Sequence, residues 1–334
     1  MKTMFPAAFI ALSMCSGALY AVSDFVNDSA GYDPYLMPPD MQDNSSQVPA
    51  TSNGFTYAAP ANPYVPYLIP NEFSYEYLGP MKADGGGSHL SITNVKISMP
   101  LSDPHRSGWS SWHFDAKVSL KMTWINSSGE DPIDLDRLYT VTPLIGISRK
   151  MGSSGMFSIA FTPQLSSDLD TASAHNFYFG GFAAYSSALG ENFTYSVGVA
   201  CMPDYSNTWL LPIIQFAWRA APNWCLKLEA ARLSFDNVAS ERFEWGPFFT
   251  FNSGTWTVRR HLRTEQFRWS SCVLGLGGAL NLTPNQPSKL LLKADTGFTF
   301  ANKAKFRTKN GKHDLTTYDY DPGFYIKAGL ELRF

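Results

Sequence analysis

The residues best suited to chemistry are few. The run "HLSITN" places His89 and Ser91 two positions apart. On a β-strand that spacing sets both on one face, where an imidazole could act as base to a serine hydroxyl. Such a pair also needs a polar group to orient the base, and Asn94 is the candidate that follows. Just ahead stands "DGGGSH", Asp84 to His89, a glycine run without the lysine or the following helix of a phosphate-cradling loop. It reads as a flexible loop. Past residue 21 the cysteines are Cys201, Cys225 and Cys272, which show neither CxxC nor Cys/His metal spacing, and three thiols cannot be fully paired within one chain. No catalytic site, cofactor or metal is expected.

A larger set of capable residues is charged and alternates with apolar neighbours. In "SWHFDAKVSLKMTW", Trp112, Phe114, Ala116, Val118, Leu120, Met122 and Trp124 share one strand face. Asp115, Lys117 and Lys121 stand on the other, with His113, Ser119 and Thr123. Thirteen such residues span roughly 40 Å, enough to cross a bilayer at a tilt. The apolar face begins and ends on tryptophan, as an aromatic girdle would. Elsewhere the same pattern sets Lys227 and Glu229 against Trp224, Leu226 and Leu228, and Arg242 and Glu244 against Phe243 and Trp245. Lys293 and Asp295 oppose Leu292 and Ala294. In the final "YIKAGLELRF", Lys327, Glu331 and Arg333 oppose Ile326, Ala328, Leu330, Leu332 and Phe334.

These strands need a scaffold that pairs every backbone group. Aromatic residues make up 15% of the chain and charged residues 16%, against about 25% charged in soluble domains. No run of about 18 apolar residues follows the amino terminus, so no spanning helix is expected. Two classes remain, a soluble exported β-protein and a closed antiparallel barrel with apolar side chains toward lipid and charges toward the lumen. The long regular strands favour the barrel. The amino terminus, "MKTMFPAAFIALSMCSGALYAVSD", has the charged, apolar and small-residue layout of a secretory signal, expected over residues 1–21 with cleavage after Ala18 or Ala21. Cys15 could alternatively accept a lipid, although Met14 precedes it. Residues 22–70, rich in Pro, Asn and Ser, read as a disordered periplasmic arm, and residues 71–334 as the barrel.

The links follow suit. "MGSSG", "LGEN", "APN", "NSG" and "TPNQPS" are short and fall on one side, while "NSSGEDPIDLD", "SSDLDTASAH" and the segment before the last strand are long and fall on the other. The reading gives 14 strands, or 12 if the pair around "FSYEYL" and "HLSITNVKISM" is not formed. Pro143, Pro163, Pro212 and Pro247 are expected to mark bulges or strand ends. Lys303, Lys305, Arg307, Lys309 and Lys312 form a basic outer segment, read as solvated, with lipopolysaccharide phosphate as its functional alternative.

A last strand carrying Ile326, Leu330, Leu332 and Phe334 resembles the carboxy-terminal signal that Gram-negative outer-membrane proteins present to the barrel-assembly machinery. The stretch from about residue 73 onward, centred on "YFGGFAAYSSALGENFTYSVGVACM", is similar to a family of uncharacterised bacterial outer-membrane barrels. That resemblance implies location and fold but no chemistry. The His-x-Ser pair resembles part of the His-x-Ser-Asn-Gly run of outer-membrane phospholipases, but Ile92 and Thr93 replace its Asn-Gly. Expected partners are outer-membrane lipid, lipopolysaccharide and the assembly machinery. A net charge of −2 implies no nucleic acid, and a homo-oligomer is left open. Mixed charges inside a barrel of this size survive only if paired. They fit a narrow porin-like channel for small polar solutes, or a closed structural or surface-interaction barrel.

Overall fold

The computed structural model describes residues 71–333 apart from residue 85 and the short segments 102–107, 110–111, 129–132, 152–154, 171–175, 191, 205–206, 230, 241, 261, 285–288 and 309–312. The expected leader (1–21) and arm (22–70), and Phe334, lie outside the described residues.

Alternation along the chain produces sixteen strands: β1 (Asn71–Lys82), β2 (His89–Pro100), β3 (Gly108–Trp109), β4 (Trp112–Ser128), β5 (Arg137–Met151), β6 (Gly155–Ser167), β7 (Phe177–Leu189) and β8 (Phe193–Asp204). They continue as β9 (Asn207–Ala221), β10 (Trp224–Glu229), β11 (Arg232–Ser240), β12 (Phe243–Arg260), β13 (Arg263–Asn281), β14 (Lys289–Thr308), β15 (Asp314–Tyr320) and β16 (Gly323–Arg333). The two-residue β3 and the short β15 stand off the ring, and the other fourteen close into an antiparallel barrel. Closure joins the first strand to the last, from Asn71↔Leu332 to Leu78↔Tyr325, and leaves the wall no free edge.

The faces sort as the alternation demands. On β4, Asp115, Lys117, Ser119 and Thr123 are buried inside the ring, whereas Phe114 and Leu120 are exposed outside. Ile145, Phe161, Phe179, Ile214 and Leu274 extend the exposed apolar belt around the wall. A belt of this extent has no place on a soluble monomer. Among the described residues no helix is long and apolar enough to cross a membrane. The end of the barrel that carries Asn71 and Arg333 is called the base here, and the opposite end the mouth. Short turns join β5–β6, β7–β8, β9–β10 and β11–β12 at the base, while the links after β4, β6 and β14 gather at the mouth. The link between β2 and β4, which holds β3, is the long exception at the base.

Two local expectations are corrected. "NSG", Asn252 to Gly254, is not a turn but the middle of β12, paired with Trp269–Ser271 of β13. Its glycine answers a packing need, since a β-carbon there would collide with the Trp256 indole. Nor do the prolines end strands or force bulges. Pairing of β5 with β6 lapses around Pro143 and Pro163 and resumes in the same register, because each ring removes one donor without displacing the strand. Pro212 and Pro247 likewise keep register with Val199 and Leu276.

Strands β12, β13 and β14 outrun the wall. β11 accompanies β12 only as far as Thr250, and the remainder of β12 continues with β13, β14 and β15 as a four-stranded extension. A crease separates wall from extension: Gly254 on β12, a register shift between Ser270 and Cys272 on β13, and Ala301 on β14 with φ 53°. A left-handed alanine is a bulge conformation, and it turns the strand. Beyond the crease the extension leans across the mouth as a lid. Thr257 pairs in parallel with Ser167 of β6, on the far side of the ring. The Trp256 indole donates to Thr140 Oγ1 at 3.0 Å, and Ser166 Oγ donates to the Thr255 carbonyl at 2.7 Å. At the lid's other edge Tyr320 bridges to Ala83, and the Asp84 amide donates to the Asp319 carbonyl.

Candidate functional site

The barrel interior is the site, and it changes character from base to mouth. Toward the base it is charged. Glu72 on β1 meets Lys96 on β2 at 3.2 Å. Lys293 on β14 meets Glu331 on β16. Lys227 on β10 reaches both Asp236 at 3.1 Å and Glu244 at 3.4 Å. Asp115 accepts from Ser148 Oγ at 3.1 Å. The longest reach is that of Arg232 on β11, whose guanidinium passes over the Phe248 ring (4.0 Å) and binds both oxygens of Asp295 on β14, at 2.7 and 3.1 Å. Gly277 on the intervening β13 makes this span feasible, because a β-carbon there would strike both partners. Opposite charges paired this way keep ions stable in a protein interior.

Midway up, Glu76 is held by two amides: Asn94 Nδ2 donates at 2.7 Å and Asn252 Nδ2 at 3.1 Å. Asn94 is fixed in turn by Thr123 Oγ1. Lys96, Lys121, Gln164 and Lys327 share this level around a cavity of about 90 Å³. At the mouth the interior becomes apolar. Phe267 lies between Trp256 and Phe306, with ring centres 5.9 and 5.2 Å away, and the lid packs on Leu78, Leu90, Ile92, Ile125 and Leu138. Lys293 retains 43% side-chain exposure and Glu244 35%, whereas Phe267 and Phe306 retain 0%. The rings under the lid are therefore closed to solvent, whereas two of the charged groups nearer the base are not.

Of the residues picked out in the sequence, Asp115, Lys117, Lys227 and Glu331 are buried inside the ring. Lys121, Glu229, Glu244, Lys293, Asp295 and Lys327 are half-buried on the same inward face. Four pairs join members of that set to each other or to a new partner: Lys227 to Glu244 and to Asp236, Lys293 to Glu331, and Asp295 to Arg232. Arg242 stands exposed in the turn before β12, off any strand face, because β11 already ends at Ser240. Arg333's side chain lies outside the described residues, and so does Phe334. Ile326 and Leu330 are exposed on the outward face of β16, with Leu332 half-buried.

Sequence reasoning passed over Glu72, Glu76, Lys96, Arg232 and Asp236. A signal was present for the first two: Glu72, Ser74 and Glu76 alternate with Phe73, Tyr75 and Tyr77. The His89, Ser91 and Asn94 constellation does not assemble. His89 is exposed, Ser91 shares its face, and Asn94 is buried on the opposite face, bonded to Glu76. The basic outer segment is also no bare cationic patch. Lys303 pairs with Asp319, and Lys305 and Arg307 with Asp314. Lys309 and Lys312 lie outside the described residues.

Asp168, just after β6, latches the lid. Its carboxylate accepts from the Arg259 amide at 2.6 Å and the Asp170 amide at 3.1 Å. Asp168→Ala should cost about 1 kcal/mol, the usual worth of such a bond near the surface. Amide exchange checks it: the Arg259 amide should exchange faster while those of the β4–β5 ladder do not.

No curated protein matches the chain. Solved structures similar to it include the toluene transporter TodX of Pseudomonas putida, 10% identical over 81% of this chain and 90% of that one, with a TM-score of 0.35. They also include the β domain of the Bordetella autotransporter BrkA, 8% identical over 79% and 99%, TM-score 0.28. A mutant porin of Rhodopseudomonas blastica is 10% identical over 80% and 99%, TM-score 0.24. At scores this low they say nothing of what the chain does. The model of a family described as a domain of unknown function, DUF6268, matches residues 73–333, and the chain belongs to that family.

Proposed function

We propose that this protein is an outer-membrane barrel forming a narrow channel for small polar solutes, and that the lid-closed conformation is its resting state. The exposed apolar belt supports membrane insertion, since in water it would cost roughly 25 cal/mol per Å² of apolar surface. One observation carries the channel reading: charged side chains of both signs line the ring, two of them, Lys293 and Glu244, keep exposed surface, and a polar cavity stands below the lid. A barrel built only as a wall would gain by filling that space with apolar side chains. Because both signs line the path, selectivity between cations and anions is weak.

The alternative, a closed structural barrel, draws on the apolar packing of the lid, which no freely open pore would carry. A tether separates the two readings. Ser167 and Thr257 are paired across the mouth, so Ser167→Cys with Thr257→Cys places two thiols within disulfide reach. In planar bilayers the reduced double variant should show discrete current steps, and oxidation should abolish them. Inserted protein that stays silent under reduction, with a lid-weakened variant equally silent, would leave only the structural barrel.

A further inference from the structure

Two neighbouring strands of the wall come unbonded beside the cavity under the lid. Pairing of β5 with β6 stops after Val141↔Leu165 and resumes at Ile145↔Phe161, with Pro143 and Pro163 opposed in the gap. Neither ring has an N–H to donate across it, so the two prolines impose the break. In a wall that crosses lipid, backbone groups released this way are tolerated only where they line a polar space. Thr142 and Gln164, which flank the prolines and face each other in register, both line the cavity of about 90 Å³.

The side chains there supply a second observation. Ser74 on β1 and Thr142 on β5 are 4% and 7% exposed, and Gln164 on β6 is half-buried. Among the described residues none of the three has a hydrogen-bond partner. Their polar atoms are not sealed off, unlike the orphaned hydroxyls of Ser158 and Thr162 on β6, and so they open onto the cavity they line. The acidic groups nearby are already committed. Glu76 accepts two amides and stands opposite Lys327, and Glu72 pairs with Lys96. What the cavity offers a visitor is two hydroxyls and a carboxamide, donors and acceptors without charge.

We propose that the cavity binds a small neutral polyol through Ser74, Thr142 and Gln164. Such a ligand donates and accepts at several neighbouring points, as these groups require, whereas an ion would give up hydration to groups that carry no charge. A cavity of about 150 Å³ holds a benzene ring, so this smaller one suits a molecule of two or three carbons. The proposal rests on the membrane-barrel reading and gives the channel a solute class, but a silent barrel would bind the same molecule.

The Gln164 carboxamide reports binding. Full-length protein in detergent micelles, labelled at glutamine side-chain ¹⁵N, is titrated with ethylene glycol, with glycerol and, for comparison, with 1-propanol. The amide pair missing from Gln164→Met should move saturably with at least one polyol and not with propanol. Thr142→Val, which keeps the shape and removes the hydroxyl, should weaken binding about fivefold, the worth of one neutral hydrogen bond. Thr317→Val, the same change on the exposed face of β15, should bind like the parent. A Gln164 signal that neither polyol moves saturably would mean that the cavity serves water alone and would overturn the proposal. Unchanged affinity in both Thr142→Val and Ser74→Ala would overturn it too. Bilayer currents, recorded separately, bear on conduction and not on this site.

Discussion

Phe267→Ala should lower the stability of the barrel by about 3–5 kcal/mol, the range for emptying a fully buried aromatic site. Phe267 is 0% exposed and is gripped between Trp256 and Phe306, so no neighbour can relax far into the void. The loss should appear as an earlier urea midpoint for protein folded in lipid vesicles. It should be accompanied by a gain: weaker packing under the lid leaves the mouth open for a larger fraction of time, and bilayer currents should rise. A variant with unchanged stability would show that the lid core does not hold the mouth. A variant destabilised but no more conductive would argue for the closed structural barrel.

Asp295→Ala carries the second large effect, about 3 kcal/mol of destabilisation. Removing it strands the Arg232 guanidinium inside the ring, and breaking such a pair costs about 3–5 kcal/mol when burial is complete. Arg232 keeps 29% side-chain exposure, which places the expected loss at the low end. The double replacement Arg232→Met with Asp295→Leu should recover most of it, since apolar side chains of similar volume replace a buried pair at little cost. Urea midpoints of the single and double variants decide the matter. If the double variant is as unstable as the single, the pair sets local geometry beyond its own charges.

Much of the wall was legible because its two faces meet different surroundings. β4, β16 and the wall part of β14 as far as Phe300 alternate, and the apolar set on each points outward. The lid was not legible, for the converse reason. Past the crease β12 is covered on both sides, so Trp256, Thr257 and Val258 are buried in succession and no period of two survives. With alternation gone, Asn252, Ser253 and Gly254 looked like a turn. The ion pairs escaped for a different reason. Arg232 and Asp295 lie 63 residues apart and are separated by two strands, and nothing in either local run names the other. Glycine at 277, which permits the pair, is uninformative until the neighbouring strands are in place.

The crease has a consequence for how the mouth can ever be uncovered. Wall and lid are not two bodies held at an interface. Three of the lid's four strands, β12, β13 and β14, are strands of the wall itself, continued past one bend. The cap therefore cannot be lost by dilution, and reclosing is a first-order event whose rate is independent of protein concentration. A free peptide copying the lid would face a permanently tethered competitor, present at the high effective concentration that a short covalent connection imposes. Any agent that opens this barrel must act on the bend or on the contacts beyond it.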